Sequence, residues 1–232
     1  MQKKYDFTGK TEKTMYSPTL HQIVRLKDEL IGGWIESPDN LSQDGKCFVY
    51  DSARVYGHAV VKDDAVVKGS ATVCGDGVVE GHSYVSGTVS VSDFAKVSDR
   101  AEVTRDARVQ DRAHVYGKAF VSDGAKICGW ARVGGNAQVR SNRIIGGTDC
   151  LDSIFITTPY LDFGMFSFTV TPTQCHFRTR YYGRAILSLP HQVWDSMSYA
   201  DFRTVVNVPE AGSRVLVNAK EMLRVAIKIA GK

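Results

Sequence analysis

The chain has 232 residues, 43% of them apolar, with 29 basic and 25 acidic side chains and a formal charge of +4. Such a composition belongs to a folded globular protein rather than a disordered one. Charges of both signs alternate along most of the chain, which does not predict nucleic-acid binding, and no apolar run approaches the roughly eighteen residues of a membrane-spanning helix. Five scattered cysteines without a CxxC pair predict reduced thiols and neither a disulfide framework nor a zinc site. The start, "MQKKYDFTGKTEKTMYSPT", has no secretory h-region, so a cytoplasmic location is expected.

Residues 1–45 read as an N-terminal cap. "TLHQIVRLKDELIGGWIE" mixes apolar and charged residues without a clean period, predicting a strand or two, with Gly32, Gly33, Pro38 and Asn40 marking turns and Trp34 packed on the first rung of the next segment.

From 46 to 143 the grammar changes to hexads. Sixteen positions six apart, from Val49 to Val139, all carry Val or Ile. Two residues before each is a small side chain, Ala in twelve cases, with Cys47, Gly77, Ser83 and Val89 as the exceptions. Two residues after each is Gly or Asp in fourteen cases, Arg105 and Ser141 departing. A fixed period of this kind takes precedence over local propensity. On an extended segment the small and the branched residue share parity and point inward, while a Gly or Asp every sixth residue permits a sharp corner. Three walls of six residues close a coil of about eighteen, giving roughly five coils stacked at about 4.8 Å. A β-meander would instead need turns every eight to twelve residues or so. The fold class expected is therefore mainly β, a parallel β-helix of hexapeptide repeats between an N-terminal cap and a small C-terminal α+β domain, residues 144–232.

The hexads resemble those of the left-handed parallel β-helix, hexapeptide-repeat family, which includes many trimeric acyltransferases; handedness is implied by that likeness alone. One departure is that a residue separates the small side chain from the aliphatic one, as in "ARVYG" and "AHVYG". A closer resemblance is to a group of phage, prophage and bacterial hexapeptide-repeat proteins commonly labelled as acyltransferases. It is carried by "TLHQIVRLKDELIGGWIESPDNLSQDGKCFVYDSARVYG", residues 19–57, and more weakly by "HFRTRYYG" in the tail.

Residues eighteen apart should lie above one another. One outward column then reads Phe48, Val66, Tyr84, Glu102, Phe120, Gln138, and Val60 and Val78 lie at the same level on a neighbouring wall. This apolar surface predicts a cover. The resemblance implies sister subunits around a threefold axis, a homotrimer; the other possible cover is the terminal domain. Arg54, Arg108 and Lys126 share a further column, and Lys96, His114 and Arg132 another.

Acyl transfer requires a general base beside a cleft. No loop interrupts the hexads; His58 and His82 fall at different corners and His114 on a flat wall, so within one subunit they do not converge. If the chain is a transferase using acetyl-CoA, His114 or His82 is the base.

The tail reads as strands at "DSIFITTPY", "FSFTVTPTQ" and "HFRTRYYGRAILSL", then helices at "YADFRTVVNV" and "SRVLVNAKEMLRVAIKIA". If the third strand continues past Gly183, His176, Arg178, Arg180, Tyr182 and Arg184 face one side, where guanidiniums and a ring could hold phosphate and stack on a base. The alternative is an edge strand whose arginines pair with carboxylates. The favoured expectation is a non-catalytic oligomeric binding protein of phage or prophage type. It would capture an anionic small molecule, such as a nucleotide second messenger of antiviral defence, or a host factor, in the host cytoplasm and with no metal or cofactor. The other two readings are an acetyl-CoA-dependent acyltransferase and a structural spacer.

Overall fold

A computed structural model describes residues 3–13, 18–140, 144–145, 150–151, 160–162, 166–170, 174–179, 186–198, 200–202, 220 and 223–224. The body is a parallel β-solenoid of three walls, mainly β and consistent with a left-handed β-helix. Wall A stacks Arg54, Thr72, Ser90, Arg108 and Lys126; wall B stacks Val60, Val78, Lys96, His114 and Arg132. Wall C stacks Phe48, Val66, Tyr84, Glu102, Phe120 and Gln138 in six rungs. The columns expected from the eighteen-residue spacing are all present, with backbone N–H groups donating to carbonyls one coil further on.

Inside, the sixteen Val and Ile six apart from Val49 to Val139, and the Ala residues two places before them, are fully buried. Each buried Val contributes about 1.5–3 kcal/mol, so the column of valines offsets the entropy of ordering a narrow prism. The chain closes beside the small residue: the Ala53 N–H donates to the Tyr50 carbonyl at 3.1 Å, a turn repeated from coil to coil.

The corners show why aspartate serves as well as glycine. Asp51, Asp63, Asp93, Asp99, Asp111 and Asp123 sit at φ between 56° and 61°, the left-handed region that short polar side chains tolerate. Five of them also accept a hydrogen bond from the corner N–H one coil on: Asp51 from Gly69, Asp63 from Gly81, Asp93 from Asp111, Asp99 from Gly117, Asp111 from Gly129, at 2.8–3.1 Å. Arg105 holds φ 60° with no such carboxylate, its guanidinium pairing instead with Asp123 at 3.1 Å.

Three strands precede the rod: β1 (Tyr5–Glu12), β2 (Leu20–Arg25) and β3 (Leu30–Ile35), an antiparallel meander that continues wall A. Gly32 and Gly33 lie within β3 and not at a turn, because β3 runs directly against the first rung. A Cβ on Gly32 would stand 2.8 Å from the Phe48 ring, and one on Gly33 2.5 Å from the Ala53 carbonyl oxygen. Pro38–Asn40 does form a 3₁₀ turn. Its Asn40 amide donates to the Gly57 and Ala59 carbonyls, both at 2.9 Å, and fastens cap to coil. Tyr5 is buried with its hydroxyl on the Leu41 carbonyl at 2.8 Å, and that burial pushes its pKa up to about 12.

The rod is longer than residues 46–143. Trp34 and Ile35 pair in parallel with Arg54 and Val55, Leu41 bridges Val61, and Ile144–Ile145 and Cys150–Leu151 add rungs at the far end. The solenoid therefore has about six turns, not five. The first coil is also irregular. Ile35 pairs with a residue twenty further on, whereas Val49 pairs with Val67, eighteen further on. The two extra residues fall between Leu41 and Val49, in the corner that contains Gly45, Lys46 and Cys47.

Beyond the rod, strands Tyr160–Asp162, Phe166–Val170, Gln174–Thr179 and Ile186–Pro190 form an antiparallel sheet, followed by the helix His191–Ser196, which the sequence reading did not anticipate. Residues 200–202, 220, 223 and 224 are helical and fall inside the two segments expected as helices. "DSIFITTPY" lies outside the described residues except for Tyr160.

Candidate functional site

Wall B carries the densest chemistry among the described residues. His114 stands between Lys96 below and Arg132 above, its neighbours in register on adjacent coils. Its Nε2 is 2.8 Å from the hydroxyl of the buried Ser98, and its ring packs on Tyr116 with centroids 4.8 Å apart. The Tyr116 ring lies over Gly134, where a Cβ would come within 2.2 Å of it, and the Arg132 guanidinium is 5.3 Å from its centroid. Glu80 completes the cluster, pairing with Lys96 at 2.5 Å and Lys62 at 3.0 Å. Burial pushes the Glu80 carboxyl up, but the hydrogen bonds from Lys96 and Lys62 prevail and hold it below its ordinary range.

Burial, and then the charges of Lys96 and Arg132, hold the His114 imidazole below its ordinary pKa. It is therefore neutral at neutral pH. A neutral imidazole can accept a proton. The wall around it is flat: the hexads run from Val49 to Val139 without an extruded loop.

The other two rod histidines stay at corners. His58 faces Asp76 at 3.5 Å and His82 faces Asp64 at 3.3 Å, both rings largely in solvent. Neither approaches His114 closely enough to share a proton. Among the described residues no three His, Cys, Asp or Glu side chains gather as metal ligands.

On wall C, Val66, Tyr84 and Phe120 are half-buried, as are Val60 and Val78 on wall B. Phe48 is different. It is fully buried, with Arg25 of β2 at 5.2 Å from its ring centroid and Tyr50 edge-on at 4.9 Å, so the cap covers it and it presents no surface to a partner. The remaining rings carry cations on their faces, Lys68 on Tyr84 at 4.9 Å and Arg140 on Phe120 at 4.7 Å, which makes this wall less apolar than its column implies. A second ladder escaped the sequence reading: at the corner between walls A and B, Arg112 is sandwiched between Phe94 at 5.0 Å and Trp130 at 4.7 Å, the rings 58% and 61% exposed. The eighteen-residue rule applied to corners as well as walls would have found it.

In the tail, His176 and Arg178 belong to strand Gln174–Thr179, and Arg180, Tyr182 and Arg184 lie outside the described residues. The expected long strand is two strands: Arg178 pairs with Ile186 and Cys175 with Leu189, antiparallel. The chain thus reverses between Thr179 and Ile186, and the conformation at Gly183, on which the shared side depended, lies outside the described residues.

No helix among the described residues is long and apolar enough to cross a membrane. No protein-family model matches the chain, and no curated protein matches it. Among solved structures, one that is similar comes from Bacillus cereus and carries a provisional assignment as an acetyltransferase; it is 12% identical, the match covers 82% of this chain and 92% of that one, and the TM-score is 0.23. By its own repeat and coil geometry, the chain is a hexapeptide-repeat parallel β-helix protein.

Proposed function

We propose that the chain is a non-catalytic, oligomeric binding protein that captures a small anionic ligand. The supporting observation is the flat wall at His114: Lys96 and Arg132 bracket a neutral imidazole, with no extruded loop of the described hexads to close over it and exclude water from a reaction. Assembly is the second part of the reading. The half-buried ladder of Val66, Tyr84 and Phe120, with Val60 and Val78, is assigned to contact between copies, a trimer by resemblance. The nucleotide-class ligand and the phage counter-defence role come from resemblance as well. Native mass spectrometry of the freshly expressed protein tests both parts, since a trimer with retained anionic mass is expected and an empty monomer would overturn the proposal. Tyr84→Asp is expected to shift sedimentation to the monomer.

Acyl transfer is the second reading, favoured by the contact between Ser98 and His114 and by the neutral imidazole. The described residues around His114 form no groove to seat acetyl-CoA, so this reading needs a neighbouring copy to build one. Acetyl-CoA turnover that disappears in His114→Ala would place it first.

A further inference from the structure

The irregular first coil leaves a hollow of about 580 Å³ where the cap meets the rod. We infer that this hollow is a binding site for a small phosphorylated compound carrying at least two negative charges, an inference that rests on the capture reading above and gives it a place other than the His114 wall or the tail. Three lysines line it from separate segments: Lys4 ahead of β1, Lys27 after β2, and Lys46 in the enlarged corner.

Their charges outnumber the single carboxylate, Asp64, that lines the hollow. The Lys4 ammonium is held by the Asp44 carbonyl at 3.0 Å and the Cys47 sulfur at 3.1 Å. Both acceptors are uncharged, since burial pushes the Cys47 thiol up and keeps its proton on. Lys4 is thus fixed in direction with its charge intact. Lys27 and Lys46 form no ion pair with any described residue. The nearby acids are engaged elsewhere: Asp28 by Arg25 through two bonds of 2.7 and 2.8 Å, Asp6 by Lys3 at 3.2 Å, Asp63 by the Gly81 N–H at 3.0 Å. Asp64, the one acid lining the hollow, accepts from the Lys46 backbone N–H at 2.9 Å and faces His82 at 3.3 Å.

A second hollow of about 360 Å³ shares Lys4 and Lys27 and adds Lys3, which is paired with Asp6. Tyr50 and Val66 supply an apolar side to the larger one. Clustered ammonium groups bind phosphoryl oxygens as point charges and without the planar matching an arginine fork imposes, so free diphosphate and a nucleoside diphosphate both satisfy the chemistry.

Calorimetric titration of the full chain with sodium pyrophosphate and with ADP tests the site. The wild type is expected to bind, more weakly as salt is raised. Lys27→Ala with Lys46→Ala is expected to weaken binding roughly tenfold or more with an unchanged melting temperature, both side chains being exposed. Arg178→Ala with Arg180→Ala is expected to bind as the wild type does. Undiminished binding in the lysine variant overturns the site, and its loss in the arginine variant would then leave capture standing, at the tail. Failure of the wild type to bind either probe overturns the site alone if native mass spectrometry finds a retained anion, and overturns capture too if none is found. Tighter binding of ADP than of pyrophosphate would support a nucleotide seated against Tyr50 and Val66, and equal binding would support recognition of the phosphoryl groups alone.

Discussion

The first coil and the coils after it are made from the same repeat and differ by two residues. Where the spacing is eighteen, from Val49 onward, the walls are flat and the corners superimpose, each residue standing in register with those above and below. Where Ile35 and Leu41 pair twenty residues on, the surplus bulges into a corner, a hollow opens, and lysines from three segments line it. Regularity yields stiffness and uniform walls; a slip in phase yields concavity. In a solenoid, therefore, a pocket is to be sought where the period fails.

Substitutions can separate the two regions. The largest effect is expected from Val103→Asp, which places an unpaired carboxylate in the dry interior of a regular coil; no folded rod should be recovered, as circular dichroism and solubility would show. Leu41→Ala, in the irregular coil, should cost about 2–5 kcal/mol in denaturant melts. Its damage should stay near the cap, because coils contact only their neighbours, and amide exchange in the coils beyond Val85 should be unaltered. Asp99→Ala removes the carboxylate that receives the Gly117 N–H and leaves a side chain less suited to φ 59°, a loss of about 1–2 kcal/mol. Arg105→Gly relieves the same strain in the opposite direction and should stabilise by about 0.5–1 kcal/mol, less whatever its exposed pair with Asp123 contributes.

The smallest effect concerns pH. Because the folded state holds His114 below its unfolded pKa, the unfolded chain binds the proton more readily between the two values. The contribution to stability is complete above the unfolded value near 6.5 and is lost as pH falls toward the folded one. His114→Gln should flatten the stability profile over that window, measured as melting temperature against pH, with little change at pH 8. An unchanged slope would mean that His114 is not held neutral by the wall.

Much of the rod was legible because its cause is local. The inward pair of Ala and Val, and a corner that tolerates positive φ, are both written within six residues, and stacking then fixes every column without further information. What was not legible depended on pieces distant in sequence. Phe48 looks like the base of an exposed ladder until β2 and β3 fold over it, a contact set by Gly32 and Arg25. The slip before Val49 was visible, since Ile35 and Leu41 keep the six-residue step, but it reads as part of the cap unless the repeat is traced backward. The corner aspartates were expected for their dihedrals only. Their carboxylates act across a coil, where no single hexad shows the partner. In the tail, alternation predicted one strand through Gly183, and pairing of Arg178 with Ile186 overrode it.

The hydrogen bonds of the five corner aspartates at positive φ point the same way, each carboxylate reaching forward to the N–H eighteen places on. A turn of the rod is therefore completed by its successor, and a ribosome releasing the chain from its N-terminus would add turns in order, each arriving onto waiting acceptors. Pulled by its C-terminus in an optical trap, the rod should unwind in the reverse sequence, in a ladder of small steps rather than one rupture.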